Sequence, residues 1–225
     1  MKVSPSPVIR RIIVFLALAV GFLTLAASVS FYLGFRNYYL YQEDKRKVRS
    51  LERDFPKLEA RLERAVRFYP LSHFKTELGR LRLQRAMAEI EFGLPEKRES
   101  YLDEARGVLK EALAGNPVDY AILWELSKVY FLYNYPLMTY ADKGRWLCRE
   151  AVQRAPFNEF LMLNVLIVFF EQWPLLEPTE KNWLKENIRR IQVSNPGFLD
   201  RLRNKWWQNY QETRSLEIRL SELGL

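Results

Sequence analysis

A-V-Q-R-A-P at 151–156 is one of four related phrases whose spacing decides how this chain is read. The others are A-V-R-F-Y-P at 65–70, A-L-A-G-N-P at 112–117 and I-Q-V-S-N-P at 191–196. Each ends on a proline (Pro70, Pro117, Pro156 and Pro196), with a small or aliphatic residue five places earlier. The prolines lie 47, 39 and 40 residues apart. Recurrence at a period of about 20–50 residues marks stacked copies of one supersecondary unit. Proline lacks the backbone N–H and its ring meets the carbonyl four residues back, so it cannot continue a helix. Each phrase therefore reads as the end of a helix, and each interval as one helical hairpin.

The segments between the phrases support an all-α fold. Apolar residues recur at spacings of three and four, and no stretch alternates with period two for long. Val48, Leu51, Phe55, Leu58, Leu62, Ala65 and Tyr69 form such a series, interrupted by Pro56. With Asp54 as a possible cap, the series predicts two helices, about 37–53 and 56–69; one continuous rod is the alternative. Ser72 opens a helix to about Phe92, and Gly93-Leu94-Pro95 breaks the chain before another that runs to Gly115. Asp119 caps a helix through Tyr133, and one follows from about Thr139 to Arg154. Asn158 caps a helix to about Gln172, Pro178-Thr179 opens the next, and a final helix is expected from Phe198 to about Leu223.

Near the N-terminus, 12–35 reads I-I-V-F-L-A-L-A-V-G-F-L-T-L-A-A-S-V-S-F-Y-L-G-F, with no charge in 24 residues. At 1.5 Å per residue this spans about 36 Å, enough for a hydrocarbon core of about 30 Å. A transmembrane helix is expected over 12–35, after a short tail at 1–11. A cleaved signal peptide is the rival, with Ala26-Ala27-Ser28 as its small residues; the apolar run outlasts a usual signal core. Arg10 and Arg11 on one flank against Arg36 on the other favour the N-terminus inside. In a bacterium that sets a single pass through the inner membrane with the body in the periplasm.

Length, 225 residues, suits one domain of ordinary size, and 48% hydrophobic with 28% charged residues is the composition of a folded chain. The formal charge is +8, but the charges alternate in sign, so no basic face for nucleic acid is expected. Cys148 is the only cysteine and His73 the only histidine. That excludes a disulfide within the chain and a zinc site built from cysteine and histidine. Cys148 reads as a buried small hydrophobe, and His73 as a surface or capping residue. No glycine-rich phosphate loop, G-x-S-x-G or H-E-x-x-H occurs. The chain is expected to be no enzyme, and no catalytic, cofactor or metal residue is assigned.

Between Tyr120 and Pro156 the chain resembles the tetratricopeptide-repeat family. Trp124, Leu126, Ser127 and Tyr130 fall near that family's first-helix positions, and Gly144, Leu147 or Cys148, Ala151 and Pro156 near those of the second helix. Ala105, Leu109, Ala112 and Pro117 keep the same spacing, as do Leu58, Leu62, Ala65 and Pro70. The periods exceed the family's 34 residues, and Ile191 stands where alanine is usual. The resemblance implies an array of antiparallel hairpins over 37–196, closed by a C-terminal capping helix at 197–225. It also implies a partner-binding groove lined by Trp124, Lys128 and Phe131, and by Leu163, Ile167 and Phe170; packing against the neighbouring hairpin or the last helix is the plain alternative for these six.

Function then reads as a single-pass membrane-anchored scaffold that binds protein partners in a cell-envelope assembly of the secretion, pilus or surface-polysaccharide kind. The alternative is a non-catalytic membrane subunit that stabilises or regulates a polytopic enzyme or transport complex. Lys45, Arg46, Lys47 and Arg49, just beyond the span, are candidates for contact with anionic lipid.

Overall fold

The computed structural model of the protein describes residues 7–48 and 50–225. The tail at 1–6 and Arg49 lie outside the described residues. All regular structure in the described residues is helical: ten α-helices and one short 3₁₀ turn at Trp173–Leu175. The all-α expectation holds. The chain forms two compact units, one ending at Gly115 and the other comprising Asn116–Leu225. Their boundary falls on the second of the four proline phrases.

The first unit begins with α1, Pro7–Arg46, a single helix of 40 residues. It is long and apolar enough to cross a membrane by length and composition. A tail to residue 11 and a separate helix from 37 are expected from the sequence; in the described residues Pro7 is already helical and the helix continues past Arg36 without a break. The stretch from Arg36 to Lys45 holds no glycine or proline to break a helix. Lys45 and Arg46 occupy the last turn, where cations complement the helix dipole.

Helix α2, Leu51–Phe68, contains Pro56, so the break expected before Pro56 is absent. The proline forfeits one bond in the second turn, a loss of about 3 kcal/mol. The inner face compensates: Phe55, Leu58, Leu62 and Ala65 on the same helix are all buried. Together with Tyr41, Leu78 and Leu81 they make the core of this unit. Helix α3, Ser72–Phe92, and α4, Pro95–Gly115, pack as a pair, and α3 also packs on α2. Arg82 ties all three together. Its Nε lies 2.7 Å from Glu59 on α2 and 3.4 Å from Glu104 on α4, and its Nη2 2.8 Å from Glu63 on α2.

In the second unit α5, Tyr120–Leu132, pairs with α6, Ala141–Arg154. Gly144 makes this approach possible: a Cβ there would sit 2.6 Å from the Phe131 ring. The caps read from sequence are in place. Asp119 accepts from the Ala121 N–H at 2.9 Å, and Asn158 from the Leu161 N–H at 2.9 Å. Each fills one of the donors a helix start leaves open. Helix α7, Glu159–Glu171, is the hydrophobic centre, with Leu161, Val165, Leu166, Phe169 and Phe170 all at 2% exposure or less. Against it pack α6 and α9, and Phe169 meets Trp183 of α8, Pro178–Ser194, at 5.6 Å between ring centres.

The expected single terminal helix is two: α9, Phe198–Tyr210, and α10, Arg214–Glu222. Gln211 turns left-handed (φ 54°) and its N–H closes α9 on the Trp207 carbonyl at 2.8 Å. Glu212 then serves both helices. It accepts from the Trp206 indole at 2.9 Å and from the Ser215 N–H at 2.9 Å, and pairs with the Ser215 hydroxyl. Side chains that bond nearby backbone offer the chain an alternative to helix, and here that alternative wins.

The same bonds hold the Glu212 carboxyl at about 2, the Ser215 hydroxyl bond first among them. A depressed carboxyl stabilises the fold above its unfolded value, about 4.3, and loses that contribution as pH falls toward about 2. The docking of α10 should therefore weaken between about pH 4 and pH 2. Amide exchange of 214–222 in the wild type and in Glu212→Ala checks this. The difference between them should be large at pH 6 and vanish near pH 2.

Candidate partner-binding surface and the root of the anchor

The six residues assigned to a groove divide into two groups. Trp124 and Lys128 lie half-buried on the outer stripe of α5. The Lys128 ammonium stands 5.6 Å from the Trp124 ring centre and 2.5 Å from the buried Glu125 carboxylate. Phe131, Leu163, Ile167 and Phe170 are buried, at 7%, 9%, 7% and 0% exposure. They are core side chains and line no open groove.

What α7 does show to solvent is a different stripe: Phe160, Asn164 and Glu171, at spacings of four and seven. Phe160 is 71% exposed. The Lys205 ammonium of α9 bonds Asn164 Oδ1 at 2.8 Å and sits 5.4 Å from the Phe160 ring centre. At the far end, the Tyr210 hydroxyl donates to Glu171. Nearly uniform hydrophobicity hides this face from a periodicity argument. Asn164 alone marks it, with its amide bonded back to the Phe160 carbonyl at 2.7 Å.

The second unit also holds a buried ion pair. Arg145 of α6 donates from Nε to Glu180 of α8 at 3.0 Å and from Nη1 to Gln172 at 2.9 Å, and it also pairs with Asp142. A recess of about 250 Å³ opens beside it, lined also by Arg149, Glu177 and Thr179. Three protein acceptors already occupy the guanidinium, so it joins α6 to α8 rather than reaching into the recess. Cys148 is fully buried, and burial pushes its thiol up to about 12. It is a neutral packing residue at any ordinary pH.

In the first unit the C-terminal part of α1 is gripped by α2 and α3. Gly34 lies against Tyr69 so closely that a Cβ would stand 2.6 Å from the tyrosine Cβ and 3.4 Å from the Ala65 carbonyl. Phe31 meets the Tyr69 ring edge-on at 5.2 Å, and Phe35 meets Phe74 at 5.2 Å. Tyr38 stacks on Phe74 at 4.6 Å, and its hydroxyl lies 2.7 Å from the Gln42 amide and 2.6 Å from His73 Nε2. One turn on, Glu77 receives the Tyr41 hydroxyl and the Lys45 ammonium, each at 3.2 Å, and pairs with Arg80. Burial opposes ionisation of Glu77, but Arg80 and Lys45 outweigh it and hold the carboxyl below its usual range. This grip spans fourteen residue steps of α1, from Phe31 to Lys45. Gly34→Leu should pry α1 from α2 and lower the stability of this unit by about 1–3 kcal/mol, seen as an earlier thermal transition in circular dichroism and as faster proteolysis near Pro70.

No protein-family model matches the sequence, and comparison with curated proteins gives no significant match.

Proposed function

We propose that this protein is a single-pass membrane-anchored adaptor whose helical hairpins, of tetratricopeptide-like kind, hold a protein partner at the membrane surface. The observation that carries this reading is the continuity of α1. One helix supplies the apolar span and then the first packing surface of the body, with Tyr38, Tyr41 and Lys45 locked onto α3. A flexible tether would leave the body free to roam. A continuous helix fixes its height above the membrane, which is what an organiser of neighbouring proteins needs.

The small residues Ala65, Ala105, Ala112 and Ala151, each at 0% exposure, support the hairpin reading, since alanine where helices cross allows close approach. The arginine count on the two flanks of the span favours a body outside the cytoplasm, in the periplasm of a bacterial cell envelope. The half-buried Trp124–Lys128 pair and the exposed Phe160–Lys205 pair are the partner-facing elements, because aromatic and cationic anchors dominate protein interfaces.

Photo-crosslinking in intact membranes tests this. A crosslinking residue at Phe160 should give one discrete protein adduct, and the same residue at an exposed position of the other unit, such as Lys97, should give none. Equal, diffuse labelling from both positions would refute a specific partner there. Protease added to sealed vesicles of known sidedness reports the topology.

A further inference from the structure

The apolar run is too long for the way the body holds it. Residues 12–35 carry no charge, yet Phe31, Gly34 and Phe35 are already in contact with Tyr69. Tyr69 begins the turn into α3. Its carbonyl accepts from the Leu71 N–H at 2.8 Å, across Pro70. Irregular backbone of this kind does not occur facing lipid within the hydrocarbon. The bilayer edge must therefore lie near Phe31. Counting back, 12–31 gives 20 residues and about 30 Å of helix, the thickness of a hydrocarbon core.

That placement brings the C-terminal end of α2 down to the headgroup level. Phe68 is 39% exposed there, and Arg64 and Arg67 are exposed one turn above and beside it. Around the emerging helix stand Tyr32 at 63% and Tyr39 at 63% exposure, with Arg36 between them. Aromatic rings beside guanidinium groups at this depth match the amphipathic boundary of a bilayer and its anionic phosphates. Lys45 to Lys47 are elsewhere. Lys45 follows Phe31 by 14 residues, about 21 Å along the axis, or more than two screening lengths in physiological salt. A tilt of about 20° shortens that height by only about a twentieth. Lys45 is also spent on Glu77 and on the Tyr41 ring.

We infer that the end of α2, with Arg64, Arg67 and Phe68, is a second membrane contact that seats the first unit on anionic phospholipid headgroups. This rests on the anchor reading above. The seat fixes rotation about α1, which one helix in a fluid bilayer cannot do, and keeps α2 and α3 from swinging away from the surface.

The test uses the full chain in vesicles of phosphatidylcholine with phosphatidylglycerol. The buried Cys148 thiol stays protonated, so single cysteines placed at Phe68, Lys47 and Leu18 take an environment-sensitive dye selectively. A shallow spin-labelled lipid should quench the dye at Phe68→Cys severalfold more than at Lys47→Cys, and a deep one should quench Leu18→Cys. Adding Arg64→Glu with Arg67→Glu should reduce the quenching at position 68 toward its level in pure phosphatidylcholine. Quenching at 68 no greater than at 47, with Leu18→Cys quenched, overturns the seat and leaves the anchor. An unquenched Leu18→Cys overturns the anchor and the seat with it. Quenching at 68 unaffected by the double charge reversal overturns the assignment to anionic headgroups.

Discussion

Arg145→Met should lower the unfolding free energy of the second unit by about 3–5 kcal/mol. The side chains of Arg145 and Glu180 are 6% and 7% exposed, and their bond is 3.0 Å long. Removing the guanidinium leaves a carboxylate and the Gln172 amide oxygen buried without their donor. An uncompensated buried charge loses most of its hydration with nothing in exchange. The Asp142 partner matters little by comparison, since its side chain is 92% exposed and keeps its water. Glu180 has a second task. Its carboxylate accepts from the Glu177 N–H at 3.1 Å, half of the capping box that opens α8. The companion variant is therefore Arg145→Met with Glu180→Gln, because glutamine keeps the cap and drops the charge. That double variant should regain more than half of the loss. Urea unfolding followed by tryptophan emission reads this unit alone, since all six tryptophans, from Trp124 to Trp207, lie within it. A loss under about 1 kcal/mol would mean that water reaches the pair.

The parts of the fold that were legible in the sequence are those governed by local chemistry. Asp119 and Asn158 were readable as caps because a short acceptor ahead of an apolar series has few other uses. The ends at Arg154 and Ser194 were readable from the prolines that follow. The parts that were not legible are those where distant packing overrides a local rule. Pro56 signals a helix start, yet the buried row from Phe55 to Ala65 carries the helix through it. Arg36 signals the end of the apolar run, yet α1 continues to Arg46, held from Gly34 onward by Tyr69, a residue 33 positions after Arg36. The break at Gln211 has no glycine or proline to announce it, and only the threefold bonding of Glu212 explains it. For the candidate surface, the family resemblance implied a groove holding Trp124 and Lys128, which lie half-buried on α5; an all-apolar helix such as α7 has no sequence-readable outside. Its outer residues Asn164 and Glu171 each lie one position after an expected groove residue, Leu163 and Phe170.

Phe170→Ala should destabilise the second unit by about 3–5 kcal/mol, whereas Phe160→Ala should change it by less than about 0.5 kcal/mol. Phe170 has no exposed surface and meets Trp173 and Trp206 edge-on at 5.5 Å and 6.3 Å. Truncation there opens a cavity between α7, the 3₁₀ turn and α9, and the large rings around it have little freedom to collapse into the space. Phe160 keeps most of its surface in water, with the Lys205 ammonium 5.4 Å from its ring centre. The two variants therefore separate stability from recognition. If the outer face of α7 binds the partner, Phe160→Ala loses the crosslinked adduct while the urea midpoint stays in place. Phe170→Ala should lose the adduct only under conditions in which the unit has unfolded. Loss of the adduct by Phe170→Ala in fully folded protein, with Phe160→Ala unaffected, would return the binding surface to the groove that the family resemblance implies.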